Sequence, residues 1–221
     1  MRKTFDSQLR ELGEKLVDMA ASAEDAIDTV TRSITSADAA PARRAVELTK
    51  SMDEAERDIE NRCFRLLLQQ QPVARDLRTI SAALKKVTDL QRIGDQCANI
   101  AELSLLHSDG AGHLGEVVHL HAMSQKAAIM VKRSIHAYAN RDADAARAVI
   151  TLDDEVDELF ALAKKSLVEL LIHRREEADR AIDLIIIAKY LERIADHAVN
   201  IARWAIYCVT GELVGADLAL P

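Results

Sequence analysis

Toward the end of the chain, apolar residues return every three or four positions. Leu191, Ile194, Ala198, Ile201 and Ala205 keep that spacing, and at about 100° per residue they fall on one narrow helical stripe. Leu152, Val156, Leu159, Ala163, Leu167 and Leu170 do the same one stretch earlier. Such stripes mark amphipathic helices that need partners. Interruptions are few: Pro41, Pro72, a cluster of Gly110, Gly112 and Gly115, then Gly211 and Gly215. Proline is tolerated in the first turn of a helix and glycine just past its end. These marks predict six helical stretches, at roughly 4–36, 41–69, 73–107, 114–140, 142–173 and 177–210.

The pattern also repeats. DLQRIGDQCANIAE (89–102) is matched by YLERIADHAVNIAR (190–203). Leu90, Arg92, Ile93, Asp95, Asn99, Ile100 and Ala101 each recur 101 residues later, with Val199 standing for Ala98. Arg-Ser-Ile at 32–34 returns at 133–135 with the same offset. Asp53-Glu54 and Leu66-Leu67 return as Asp157-Glu158 and Leu170-Leu171, 104 residues on. Three amphipathic helices are the smallest set that encloses a helical core, and short connections make neighbours antiparallel. The expectation is an all-α protein of two tandem three-helix bundles related by pseudo-twofold symmetry. The first would span 1–108 and the second 116–221, with a Gly-rich linker at 109–115 between them.

Composition agrees. Aromatic residues are 3% of the 221, with 7 Gly and 3 Pro, too few for a sandwich or barrel built on turns and aromatic strands. The net charge of −7 argues against a nucleic-acid partner. No apolar run approaches the about 20 residues that cross a bilayer, and the N-terminus lacks the apolar core of a signal peptide. Cys63, Cys97 and Cys208 are scattered and odd in number, which suits a reducing, cytoplasmic setting.

Candidate chemistry lies in acids at helical spacing. Glu192 and Asp196 are four apart, as are Asp153 and Asp157 on the preceding stretch. Like charges at that spacing repel. A cation, a neighbouring Arg or Lys, or plain solvation offsets the cost. On adjacent antiparallel helices the two pairs could present four carboxylates to a hard metal ion. The first half has lost both leading acids: Gln91 stands where Glu192 does, and Thr49 stands four before Asp53. Asp53, Glu56, Asp89 and Asp95 remain, so that site is expected to be reduced. GxxxxGK[ST], GxSxG, HExxH, a GxGxxG at a strand-to-helix turn and the paired Glu-x-x-His of a di-iron bundle are missing from the sequence, and His107, His113, His119 and His121 read as a solvated linker region.

The repeated L-[EQ]-R-I-[GA]-D-x-x-x-N-I-A segments, QQPVARDLR (70–78), DDEVDEL (153–159) and VTGE (209–212) together resemble the PhoU family of phosphate-specific transport system accessory proteins, from about residue 5 to residue 213. The resemblance implies two three-helix bundles and no catalysis. It implies a cytoplasmic negative regulator of the phosphate-starvation response and of phosphate uptake. The partners it implies are the ATPase subunit of the phosphate ABC transporter and the sensor histidine kinase, with a second copy in a homodimer. It also implies a multinuclear metal cluster of iron or zinc, with magnesium or manganese open. By position its ligands are Asp153, Asp157, Glu192 and Asp196 in the second half and, more weakly, Asp53 and Asp95 in the first.

Overall fold

The computed structural model describes residues 2–35, 38–106, 118–212 and 214. Within them the chain forms α1 (Arg2–Thr35), α2 (Ala40–Gln70), α3 (Ala74–Leu106), α4 (Val118–Asn140), α5 (Ala143–Thr151), α6 (Asp153–His173) and α7 (Ala178–Thr210), with a short 3-10 turn at Arg175–Glu177 before α7. No strand occurs among the described residues. The expected linker at 109–115 lies outside them, as does the start of the fourth stretch at 114–117.

Each boundary has a local cause. Pro41 sits in the first turn of α2, where its missing N–H is not needed. Asp142 caps α5, its Oδ1 accepting from the amides of Asp144 (3.1 Å) and Ala145 (2.9 Å). Gly211 ends α7 at φ 82°, the left-handed conformation in which a side chain is strained. Pro72 lies in the turn between α2 and α3 rather than inside α3.

One expectation is corrected. The stretch 142–173 is not a single helix. It breaks at Leu152, where the Leu152 amide reaches back to the Val149 carbonyl (3.1 Å) and the Glu155 amide to the Leu152 carbonyl (3.2 Å). These tighter bonds close one helix and open the next. The new first turn carries Asp153, Asp154 and Glu155, and acids are favoured at the positive end of a helix dipole. The apolar stripe runs through the break, which is why periodicity alone reads it as continuous.

α1, α2 and α3 pack against one another, and α4 packs against α5, α6 and α7. The halves meet along α3 with α7 and along α1 with α4. Rising positions on α3 meet falling positions on α7: Arg78 lies against Gly211, Lys86 against Cys208, and Asp89 against His197. The two helices are therefore antiparallel, and each is the repeat equivalent of the other. The other crossing, α1 with α4, likewise joins repeat equivalents, with an ion pair from Lys132 to Glu24 (3.6 Å). This is the pattern a pseudo-twofold axis produces. A single cluster of buried residues runs through both halves, from Leu12 and Ile27 through Ile93 and Ile100 to Met130, Ile194 and Ile201.

Many core positions are alanine, including Ala23, Ala26, Ala45, Ala83, Ala188 and Ala195, which lets helix backbones come close. At Gly94 side chains of α2 press against the α3 backbone. An added Cβ would stand 3.1 Å from Met52 Sδ, and Thr49 Oγ1 lies 3.1 Å from the Gly94 carbonyl.

Candidate metal centre

Asp153 is the first residue of α6 and Asp157 stands one turn on. Glu192 and Asp196 lie one turn apart within α7. Packing of α6 on α7 brings the two pairs together. Partial burial, then Asp196 and Asp157, push the Asp153 carboxyl up to about 6, while Arg203 acts in the opposite sense. The Asp196 carboxyl is also raised, by burial first and then by Glu192 and Asp157, against Lys189 and His197. Both shifts have the same origin: carboxylates crowd one another in a partly desolvated place. Lys189 is ion-paired with Glu192.

The donor set fits a hard cation. Four carboxylates from two helices offer oxygen ligands of the kind that magnesium, manganese and iron prefer and that zinc accepts. A divalent ion would relieve the mutual repulsion that raises Asp153 and Asp196. Among the described residues no three His, Cys, Asp or Glu side chains already converge as a finished cage.

In the first half a neutral amide stands among the acids. Gln91 Nε2 donates to Asp53 Oδ1 (3.1 Å) and to Asp95 Oδ1 (2.9 Å). One neutral amide, with two N–H groups, ties the two acids together. Arg92 Nη1 donates to the other Asp95 oxygen (3.1 Å). Thr49, which takes the place of Asp153, is buried, and its hydroxyl lies 3.1 Å from the carbonyls of both Ala45 and Gly94. Glu56 remains, with a carboxyl raised by burial and by Glu60 and Asp53. The expected loss of acids in the first half thus has a structural counterpart: the amide does there what a cation would do.

The two halves are linked beside this region. His197 Nδ1 lies 2.9 Å from Asp89 Oδ1, and Asn200 Nδ2 donates to the same oxygen at 3.4 Å. Next to the link a cavity of about 580 Å³ opens between α3 and α7, bordered by Arg92, Gln96, Asp153, Arg193, Asp196, His197, Asn200 and Arg203. The arginines were not singled out from sequence, although Glu192, Asp196, Asn200 and Arg203 follow one another at spacings of four and three on one helix face.

A second residue missed from sequence is Lys86. It is 2% exposed, its Nζ lies 4.0 Å from Cys208 Sγ and 2.7 Å from the centre of the Tyr138 ring. Burial pulls its ammonium down to about 7, opposed by Cys208 and Cys63. Burial in turn pushes the Cys63 thiol up to about 12. Tyr138 and Cys208 also border a larger cavity of about 890 Å³ among α1, the start of α3 and the ends of α4 and α7. The repeat offers the missed signal: 101 residues after Lys86 stands Ile187, fully buried.

No helix among the described residues is long and apolar enough to cross a membrane. The sequence model of the PhoU domain matches the chain twice, at residues 16–104 and 120–205. A phosphate-specific transport system accessory protein PhoU homolog of Clostridium acetobutylicum is 34% identical over 214 residues, covering 96% of this chain and 97% of the relative. The crystal structure of PhoU from Pseudomonas aeruginosa superposes with a TM-score of 0.88 at 31% identity, covering 94% of this chain and all of the other. That of the phosphate transport system regulatory protein PhoU from Streptococcus pneumoniae gives 0.86 at 25% identity, over 96% of this chain and all of the other.

Proposed function

Because this chain belongs to the PhoU family, we propose that it regulates phosphate transport as a non-catalytic accessory protein. In this reading it is a cytoplasmic negative regulator of the phosphate-starvation response and of phosphate uptake. It connects the ATPase subunit of the phosphate ABC transporter with the sensor histidine kinase, and it acts as a homodimer. The observation that carries the reading is the match of both repeats to the family over nearly the whole chain, to relatives named as accessory or regulatory proteins of phosphate transport.

Asp153, Asp157, Glu192 and Asp196 are the residues that would hold an iron or zinc cluster, or magnesium or manganese, in the second half. Asp53 and Asp95 would hold metal more weakly in the first. Such a cluster would supply positive charge among carboxylates carried by α6 and α7. Among the chain's own residues, Lys189 balances Glu192 and Gln91 balances Asp53 and Asp95.

Deletion of the gene is expected to raise phosphate-starvation gene expression in phosphate-rich medium, and a plasmid copy to restore repression. Unchanged expression in a strain holding no second copy would overturn the regulatory role. Capture of the transporter ATPase and the kinase on the immobilised protein tests the partners, and light scattering during size exclusion tests the dimer. Elemental analysis of the wild type beside Glu192→Gln/Asp196→Asn tests the metal site. The double variant should lose most of the bound metal, and equal content in both proteins would remove the assignment.

A further inference from the structure

The cavity between α3 and α7 has a feature that a set of metal-binding carboxylates does not require. Arg92 and Arg193 are repeat equivalents, and the antiparallel crossing brings both to its wall. Arg203 adds a third guanidinium. Arg92 is ion-paired with Asp95 (3.1 Å). Arg193 forms no ion pair or hydrogen bond among the described residues. The buried Nε of Arg203 meets no acceptor. Three guanidiniums against the Asp153 and Asp196 carboxylates leave this wall with an excess of positive charge, which a small anion would offset. Guanidinium forks match the oxygens of a tetrahedral oxyanion, donating two parallel hydrogen bonds each.

The same wall holds an acceptor. Gln96 is 8% exposed, and its Oε1 is buried without a donor. Asp153 and Asp196 add carboxylate oxygens. A fully deprotonated anion gains nothing from such acceptors, whereas an anion that keeps a proton at neutral pH donates to one of them. Phosphate keeps one or two protons there, and sulfate keeps none. The space is concave and takes a small anion with its waters rather than a helix of a partner protein.

We propose that this cavity binds a small protonated tetrahedral oxyanion, inorganic phosphate, through Arg193 and Arg203, with Gln96 Oε1 accepting a hydrogen bond from the phosphate hydroxyl. The choice of phosphate among such anions rests on the regulatory reading above; the anion site itself rests on the arginines. Asp153 and Asp196 belong to both sites, so a cation bound there would sit beside the anion, and the two would bind more tightly together than apart.

The test is calorimetric titration of the full-length protein with phosphate and with sulfate at low salt, in EDTA-treated and manganese-loaded samples. Phosphate should bind more tightly to the loaded protein, with sulfate at least about tenfold weaker. Arg193→Gln and Arg203→Gln should each weaken phosphate binding about tenfold. Gln96→Leu should narrow the phosphate-to-sulfate ratio. Arg193 is exposed, so its variant should keep the wild-type helicity and melting temperature, which circular dichroism verifies.

The site is overturned if the wild type binds no phosphate, or if sulfate binds equally well. Binding that both arginine variants retain in full would also overturn it, since the metal alone would then hold the anion. A failed titration alongside a normal deletion phenotype removes the site and leaves the regulatory role standing. Phosphate binding without any deletion phenotype does the reverse.

Discussion

Lys86 and Ile187 occupy the same place in the two repeats, and only one of them is comfortable there. Ile187 is hydrocarbon in a core of hydrocarbon. Lys86 is an amine that has no ion pair among the described residues and faces the Tyr138 ring and the Cys208 sulfur. Its folded pKa of about 7 lies below the usual 10.5, so between those values the unfolded chain binds a proton that the folded one does not. Stability then rises with pH across that window, and below about pH 7 the full cost is present. Lys86→Met should therefore stabilise the protein by about 3–5 kcal/mol at pH 6. The gain should shrink as pH climbs from 7 toward 10.5, as denaturant titrations of both proteins at several pH values would show. A variant no more stable than wild type at pH 6 would mean that Lys86 has a partner unseen here. Gln91 gives the converse case. Gln91→Glu removes both amide hydrogen bonds and sets a third carboxylate against Asp53 and Asp95. The variant should melt lower than wild type in EDTA and recover on adding manganese, while wild type should gain less from the metal in this half. Neither residue's role is visible in its own letter. The loss of acid at position 91 was legible from the repeat, but the amide's two contacts depend on how α2 faces α3.

The helices were legible because their stripes and their punctuation agree. Apolar residues recur at helical spacing, and Pro41 and Gly211 fall where a helix start and a helix end need them. The break at Leu152 escaped that reading because the stripe from Leu152 to Leu170 continues across it. Its signal was chemical instead: Asp153, Asp154 and Glu155 together make a first turn, not a mid-helix segment. The first half shows the contrast, since α2 runs unbroken from Ala40 to Gln70 with Thr49 where Asp153 would be. A helix beginning at Asp153 sets that acid at the edge of the cavity, so the break helps build the site. The preceding element depends on its cap. Asp142→Ala removes the acceptor for the Asp144 and Ala145 amides and should lower stability by about 1 kcal/mol, read as a shifted urea midpoint at unchanged slope.

At the scale of the molecule, two bundles could be inferred from the repeat, but their union could not. Long spacing in sequence says nothing about whether two halves share a core. Here they do, because α3 and α7 bury faces against each other and one hydrophobic cluster crosses between them. The His197–Asp89 contact and the Lys132–Glu24 pair add polar ties at the same boundary. Unfolding should then be a single transition, with helicity and calorimetric heat falling together. The isolated segment 1–108 would expose the α3 face that α7 covers, and should self-associate or remain poorly folded. Two separate melting steps in the full chain would show instead that the halves are independent.

A contact across a twofold axis has a further property: the same patch is used from both sides. A free chain of one repeat, pairing with its own copy, would use that very patch, and every substitution would then strike both partners at once. Joined end to end, the copies can drift separately. Gln91, Thr49 and Lys86 stand on one side where Glu192, Asp153 and Ile187 stand on the other. The two halves thus keep the shape of a symmetric pair while covalent linkage lets each carry its own side chains at the same place.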